Sequence, residues 1–161
     1  MKILVLSDSH GFLNYMCQAI QAEKPDYLIH LGDHSSDAEE LKELYPTLSL
    51  LSVRGNCDPF DFHIPEFSIT VCDNFRIMAV HGHRYGVKSG LLRLVMAAKE
   101  KAVHIALFGH THCAYCENYD GIWLLNPGSC GIRSHGTYGV IEIVNSSVNC
   151  VVKTLAQEET R

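Results

Sequence analysis

Seven residues, Asp8, His10, Asp33, Asn56, His81, His110 and His112, can offer a hard oxygen or an imidazole nitrogen to a metal ion, and each lies just beyond an apolar run. Their contexts are Ser-Asp8-Ser-His10-Gly, Leu-Gly-Asp33, Gly-Asn56-Cys57-Asp58, Val-His81-Gly-His83 and Gly-His110-Thr-His112. Loops at strand ends are where α/β folds place chemistry, so this distribution predicts an active site for two metals. Carboxylate, carboxamide and neutral imidazole together suit Mn, Fe, Zn, Ni or Co, and no thiolate is needed to complete the shell. An aspartate such as Asp33 has two oxygens with which to bridge two ions. Ions roughly 3.5 to 4 Å apart lower the pKa of a shared water and stabilise both oxygens of a phosphoryl transfer. Asp8 and His10 are separated by one residue, so in an extended segment both face one side and clasp one ion; His110 and His112 repeat that spacing.

The elements that must carry these loops are legible from periodicity. Ile3 to Leu6 predicts a strand, followed by a helix over Phe12 to Glu23 in which Leu13, Met16, Cys17 and Ile20 recur at helical spacing. Tyr27 to His30 predicts a second strand, and Ser36 or Asp37 is placed to cap a helix through Leu44. Leu48 to Val53 predicts a third. Asp73-Asn74 separates two β-rich runs, Phe67 to Cys72 and Phe75 to Val80, as in a hairpin. Leu91, Leu92, Val95, Met96 and Ala98 predict a helix ending near Lys101 with its apolar positions as a core face, and His104 to Phe108 reads as the next strand. The remainder, Tyr115 to Tyr119, Ile122 to Leu125, Tyr138 to Val144 and Val148 to Lys153, reads as mostly antiparallel sheet. Together these predict an α/β fold: two mixed β-sheets packed as a sandwich with helices on the outer faces.

The chain has 161 residues, which suits one domain spanning 1–161. Hydrophobic residues make up 47% and charged residues only 19%, the composition of a chain with a packed core. The formal net charge of -5, with thirteen dispersed Lys and Arg, supplies no basic stripe, so no nucleic acid is expected as a partner. No apolar run reaches membrane-spanning length, and the chain enters a strand at once without a signal-peptide core. A cytoplasmic location and no membrane partner are therefore expected. Seven cysteines, an odd count without scaffold spacing, point to reduced thiols. A homodimer is compatible with the sequence. Short loops between the ligand-type motifs leave little chain for a deep specificity pocket.

Taken in order, Asp8-x-His10, Gly32-Asp33, Gly55-Asn56-Cys57-Asp58, His81 and Gly109-His110-x-His112 resemble the calcineurin-like metallophosphoesterase superfamily, and most of all its short single-domain phosphodiesterases. The resemblance implies an αββα sandwich and a dinuclear site. One ion would take Asp8, His10, Asp33 and His112, the other Asp33, Asn56, His81 and His110, with Asp33 bridging and positioning a hydroxide. It implies a metal-dependent phosphodiesterase acting on a small phosphodiester substrate with two divalent transition-metal ions, manganese first, and Ni, Zn, Fe or Co as alternatives. Alternatives on the same fold are a phosphomonoesterase and a noncatalytic protein-interaction scaffold of the retromer-subunit kind. One departure matters. Where much of the family has histidine to protonate the leaving group, this chain has Cys57, and a thiol is a poor donor unless tuned. Cys57 and Asp58 are therefore expected to support catalysis from beside the ligands, and His34, His83 and Arg133 to contact substrate. The Asn126-Pro-Gly-Ser129 loop also looks like the family's segment after the last metal motif, although it is ordinary turn chemistry.

Overall fold

The computed structural model describes residues 1–58, 60–132 and 136–155. Among them the elements run β1 (Lys2–Leu6), α1 (Leu13–Glu23), β2 (Tyr27–His30), α2 (Ser35–Leu44), β3 (Ser49–Ser52), β4 (Phe67–Cys72), β5 (Phe75–Val80), α3 (Leu92–Glu100), β6 (Ile105–Leu107), β7 (Tyr115–Tyr119), β8 (Ile122–Asn126), β9 (Thr137–Val144) and β10 (Ser147–Thr154). Short 3-10 turns occupy His83–Tyr85 and Val87–Ser89. The strands form two five-stranded sheets, ordered β10-β9-β1-β2-β3 and β4-β5-β6-β8-β7.

Alternation along the strands decides the layers, because neighbouring side chains leave opposite faces of a sheet. Ile3, Val5, Ile29 and Leu31 of the first sheet meet Ile77, Ala79, Ile105, Leu107 and Leu125 of the second in a dry central core. Leu4, Leu6 and Leu28 face the other way and are covered by Met16, Ala19 and Ile20 of α1 and Leu41 of α2. Met78, Val80, Ala106 and Leu124 are covered by Leu94, Val95 and Ala98 of α3. Burying each such aliphatic side chain is worth about 1.5 to 3 kcal/mol, which fixes the register of every strand by fixing its face. The two-sheet sandwich with helices outside is thus what the sequence pattern predicts.

β1, β2 and β3 are mutually parallel, as are β5, β6 and β8. Six strands therefore end at one rim of the sandwich, and every ligand-type motif lies in a loop leaving that rim.

The C-terminal third is mostly antiparallel, as expected: β7 pairs with β8, β9 with β10 and β9 with β1 in that sense, and only β8 with β6 is parallel. Two expectations are corrected. α2 has no Ser36 or Asp37 cap; its N-cap is His34 in the left-handed region (φ 69), and the Asp37 carboxylate instead accepts a hydrogen bond from the Gly11 amide at 2.9 Å. α3 buries Leu94, Val95 and Ala98, while Leu92 and Met96 are exposed at 72% and 62%, so only part of its apolar set is core. All seven cysteines are free thiols. Among the described residues no helix is long and apolar enough to cross a membrane.

Candidate metal centre

The loop after β1 turns sharply. Asp8 and His10 both have left-handed backbone (φ 55 and 49), a conformation non-glycine residues adopt only where neighbours hold it. Those neighbours are identifiable: the Asp8 amide donates to Gly32 O at 3.0 Å, and the Asp8 carbonyl accepts from Ser129 Oγ at 2.7 Å. Asp8 is fully buried. Its Oδ2 accepts from Ser7 Oγ at 2.5 Å and from the His110 amide at 3.2 Å. Oδ1 receives no hydrogen bond of acceptable geometry, although His112 Nε2 lies 3.0 Å away. His10 Nε2 is in turn 3.4 Å from His112 Nε2. Asp8, His10 and His112 thus each bring one ligand-type atom within 4.8 Å of the others.

A second group forms around Asp33, in the loop after β2 (φ 58). Asp33, His81 and His110 bring their ligand-type atoms within 4.8 Å of one another. Gly32 and Gly55 let two loops touch here. A Cβ on Gly55 would sit 2.1 Å from Asp33 Oδ1, and one on Gly32 would sit 2.4 Å from the Gly55 nitrogen. Asp33 Oδ1 accepts from the Cys57 amide at 2.9 Å, while Oδ2 is 3.4 Å from His81 Nε2. His81 Nδ1 donates to the Leu31 carbonyl at 2.8 Å, which turns Nε2 toward Asp33 Oδ2 and toward Asn56 Oδ1 at 3.2 Å. Asn56 Nδ2 is engaged with Cys57 Sγ at 3.3 Å, so its oxygen is the atom presented.

Lone pairs of one nitrogen and two oxygens therefore converge on one point, which is unfavourable unless a cation lies between them. Burial acts to lower the His81 pKa, but the Asp33 hydrogen bond and the charges of Asp8 and Asp33 outweigh it, and the net shift is upward. A divalent ion seated between these atoms would compete with a proton for Nε2. Asp33 shows the mirror image. Burial opposes its charge, yet the hydrogen bonds from His81 and the Cys57 amide hold the carboxyl well below the usual carboxylate range. His110 is shifted down, by burial first and then by His81. Oxygen and imidazole donors with an orphaned buried carboxylate oxygen fit a hard or borderline divalent ion.

The structure corrects the reasoning from spacing. Asp8 and His10 share a group, but through left-handed turns and not an extended segment; His110 and His112, also left-handed (φ 69 and 58), fall in different groups. A period of two holds only for strand backbone, and these loops are not strands. His34 lies in edge contact with His10, ring centroids 5.5 Å apart, and His83 lies 5.5 Å from His81 and 6.2 Å from His110. Cys57 is exposed; burial of its sulfur first, then Asp33, pushes its thiol up to about 11. Arg133 lies outside the described residues.

Asp58 stands beside the ligand-type residues and holds their backbone. Buried, it accepts the amides of Gly55 and Asp33 on Oδ2 at 2.8 and 2.9 Å and that of Ser35 on Oδ1 at 2.9 Å, tying the β2 and β3 loops together. These three donors outweigh burial and lower its pKa.

Asn126 and His30 also organise the site. Asn126 Nδ2 donates to Gly109 O at 3.0 Å and Thr111 Oγ1 at 2.9 Å, holding the loop of His110 and His112; the resemblance of its loop to the family's segment after the last metal motif was the signal. Fully buried His30 accepts from the Gly32 amide at 3.4 Å and lies 3.3 Å from Ser9 Oγ, which itself reaches Asp33 O at 3.4 Å. Nothing in its local sequence distinguishes it from a core histidine.

Two parallel strand sets thus deliver carboxylate, amide and imidazole groups to one rim, as a metal centre requires. A family model described as the calcineurin-like phosphoesterase superfamily domain matches residues 1–146, and the chain belongs to that family. "Probable metallophosphoesterase YsnB" of Bacillus subtilis (strain 168) is 32% identical over 154 residues, covering 91% of this chain and 87% of that protein. "Phosphodiesterase MJ0936" of Methanocaldococcus jannaschii is 28% identical over 148 residues, covering 81% and 84%. A crystal structure of a "predicted phosphoesterase" from Streptococcus pneumoniae TIGR4 superposes with a TM-score of 0.79 at 28% identity, over 98% of this chain and 91% of that one.

Proposed function

We propose that this protein is a phosphodiesterase that works with two divalent ions. Asp8, His10 and His112 would hold one ion, Asn56, His81 and His110 the other, and Asp33 would serve both. The observation that carries the reading is the convergence of Asp33 Oδ2, Asn56 Oδ1 and His81 Nε2, with buried Asp8 Oδ1 facing His112 Nε2 without a hydrogen bond in the neighbouring group. When bound, such ions supply Lewis acidity toward phosphoryl oxygen and acidify water at neutral pH. The chain's own part is to hold the groups in place: Leu31 O orients His81, Asp58 ties Asp33 to Gly55, and Asn126 fixes the loop of His110 and His112. His34 and His83 stand beside the ligand-type atoms, where a phosphate oxygen would arrive. The name of the archaeal relative supports a diester as substrate.

A thiol held at about 11 gives up its proton poorly, so leaving groups that depart without acid assistance should be favoured. The test is hydrolysis of bis(p-nitrophenyl) phosphate by metal-stripped protein with and without added Mn, beside p-nitrophenyl phosphate and an Asp33→Ala control. Metal-dependent turnover of the diester, lost in D33A, is the expected result. No turnover with any of Mn, Ni, Zn, Fe or Co would sink the reading.

A further inference from the structure

The segment after β3 does more than carry Asn56. It walls a cavity of about 370 Å³ lined by Arg54, Asn56, Phe62, Glu66, His83 and Arg84, among others. Asn56 and His83 connect this cavity to the metal-type groups, since Asn56 Oδ1 is 3.2 Å from His81 Nε2 and the His83 ring is 5.5 Å from that of His81. The far wall is a charged bridge. Arg54 Nη2 and Arg84 Nη2 both donate to Glu66 Oε1 at 3.1 Å, and Arg84 Nε donates to Oε2 at 3.2 Å. The Arg54 guanidinium also lies 5.1 Å from the Phe62 ring centroid, a cation–π contact that steadies a ring otherwise 76% exposed. Two nitrogens of the wall, Arg54 Nε and His83 Nδ1, are buried without a hydrogen-bond partner.

We propose that this cavity takes an aromatic arm of the substrate, a phenyl ring or a nucleobase joined to the phosphate through its ester oxygen. The inference rests on the phosphodiesterase reading. An exposed phenylalanine held from beneath by a cation offers its free face to a second ring, and stacking on such a face tolerates any planar π-system. Glu66 and the unpartnered nitrogens supply acceptor and donor positions at the edge of that ring. Ligand sites run from roughly 300 to 1,000 Å³, so a cavity at the low end suits a single ring system and not a polymer. Arg54 and Arg84 are offset by the carboxylates of Glu66 and Asp58, so the lining is formally neutral and the ring of Phe62, not net charge, is what selects the arm.

Calorimetric binding to the Mn-loaded protein separates this from the activity itself, using phenyl phosphate, thymidine 5′-phosphate, methyl phosphate and inorganic phosphate. The expected result is that one or both aromatic esters bind about ten-fold tighter than methyl phosphate, the size of one ring stack. Phe62→Ala should erase that preference and leave inorganic phosphate unchanged, and Phe62→Trp should restore it. Preference for phenyl phosphate marks an aryl ester as the arm, and preference for thymidine 5′-phosphate marks a nucleoside. Equal binding of phenyl, thymidine and methyl esters, no binding of any of them, or a preference that survives F62A, overturns the proposal. If the preference is present and Phe62-dependent while bis(p-nitrophenyl) phosphate is not turned over, the cavity stands and the diesterase reading falls.

Discussion

His81, just past β5, donates its Nδ1 proton to the backbone carbonyl of Leu31, 2.8 Å away and just past β2 of the other sheet. That single bond decides the tautomer and directs Nε2 at Asp33 and Asn56. A histidine fixed in this way is a ready ligand, because its ring needs no reorientation when an ion arrives.

Loss of individual groups should therefore be read as loss of individual ions. Wild-type protein is expected to retain about two equivalents of Mn per chain after gel filtration, as the two-ion reading requires. His81→Ala and His112→Ala should each retain about one, and Asp33→Ala less than either. Metal content by plasma mass spectrometry checks this without any substrate. H81A and H112A with unchanged content would refute the division.

Asp58 is a structural clamp, and its substitution should tell on stability before activity. Removing a buried carboxylate that accepts three amides, as in Asp58→Ala, is expected to cost about 2 to 4 kcal/mol in urea unfolding. Asp58→Asn keeps one acceptor oxygen and should cost less. An undisturbed midpoint in D58A would show that the loops hold without it.

His30 gives the fold an acid sensitivity with a definite sign. Burial holds its pKa down at about 4 against an ordinary 6.5, and the nearby carboxylates of Asp37, Asp58 and Asp8 only partly offset this. Between those two values the unfolded chain carries a proton on His30 that the folded chain does not. Stability is thus fully present above pH 6.5 and declines as the pH falls toward 4. The slope from this one group approaches ~1.4 kcal/mol per pH unit. His30→Gln should flatten the stability profile in that window, measured by urea unfolding in metal-free buffer; a profile as steep as wild type would assign the sensitivity elsewhere.

Much of this was readable in the chain because it is local. The hairpin at Asp73-Asn74, the alternation of Ile3 and Val5 with Leu4 and Leu6, and the helical spacing of Met16 and Ile20 each follow from a few neighbouring residues. What could not be read depends on partners far along the chain. His110 and His112 part company because Asn126 holds the first residues of their loop and left-handed turns replace strand geometry. Asp37 leaves its expected cap for the Gly11 amide, and Asp58 serves backbone from two loops at once. The Arg54, Glu66 and Arg84 bridge joins residues that share no motif, so a cavity arose where short loops argued against one.

Cys57 offers a test by substitution toward the commoner family pattern. Cys57→His would place an imidazole, with an ordinary pKa near 6.5, where the thiol stands at about 11. Turnover of diesters with alkyl leaving groups should rise, by up to ~10² to 10⁴-fold if acid assistance is fully restored. Turnover of p-nitrophenyl esters should change little, because p-nitrophenolate leaves unaided. Equal gains on both would mean the substitution acts on binding.

Each group of ligand-type atoms draws on both layers of the sandwich: Asp8 and His10 leave the first sheet and His112 the second, while Asp33 leaves the first and His81 and His110 the second. An ion seated in either group would be a rivet through the seam between the layers, at one rim only. Its removal by a chelator should let that rim breathe while the opposite end stays shut, so hydrogen exchange would quicken at the ends of β1, β2, β5 and β6 and not at their beginnings. Metal supply, on this view, sets the stiffness of one edge of the molecule.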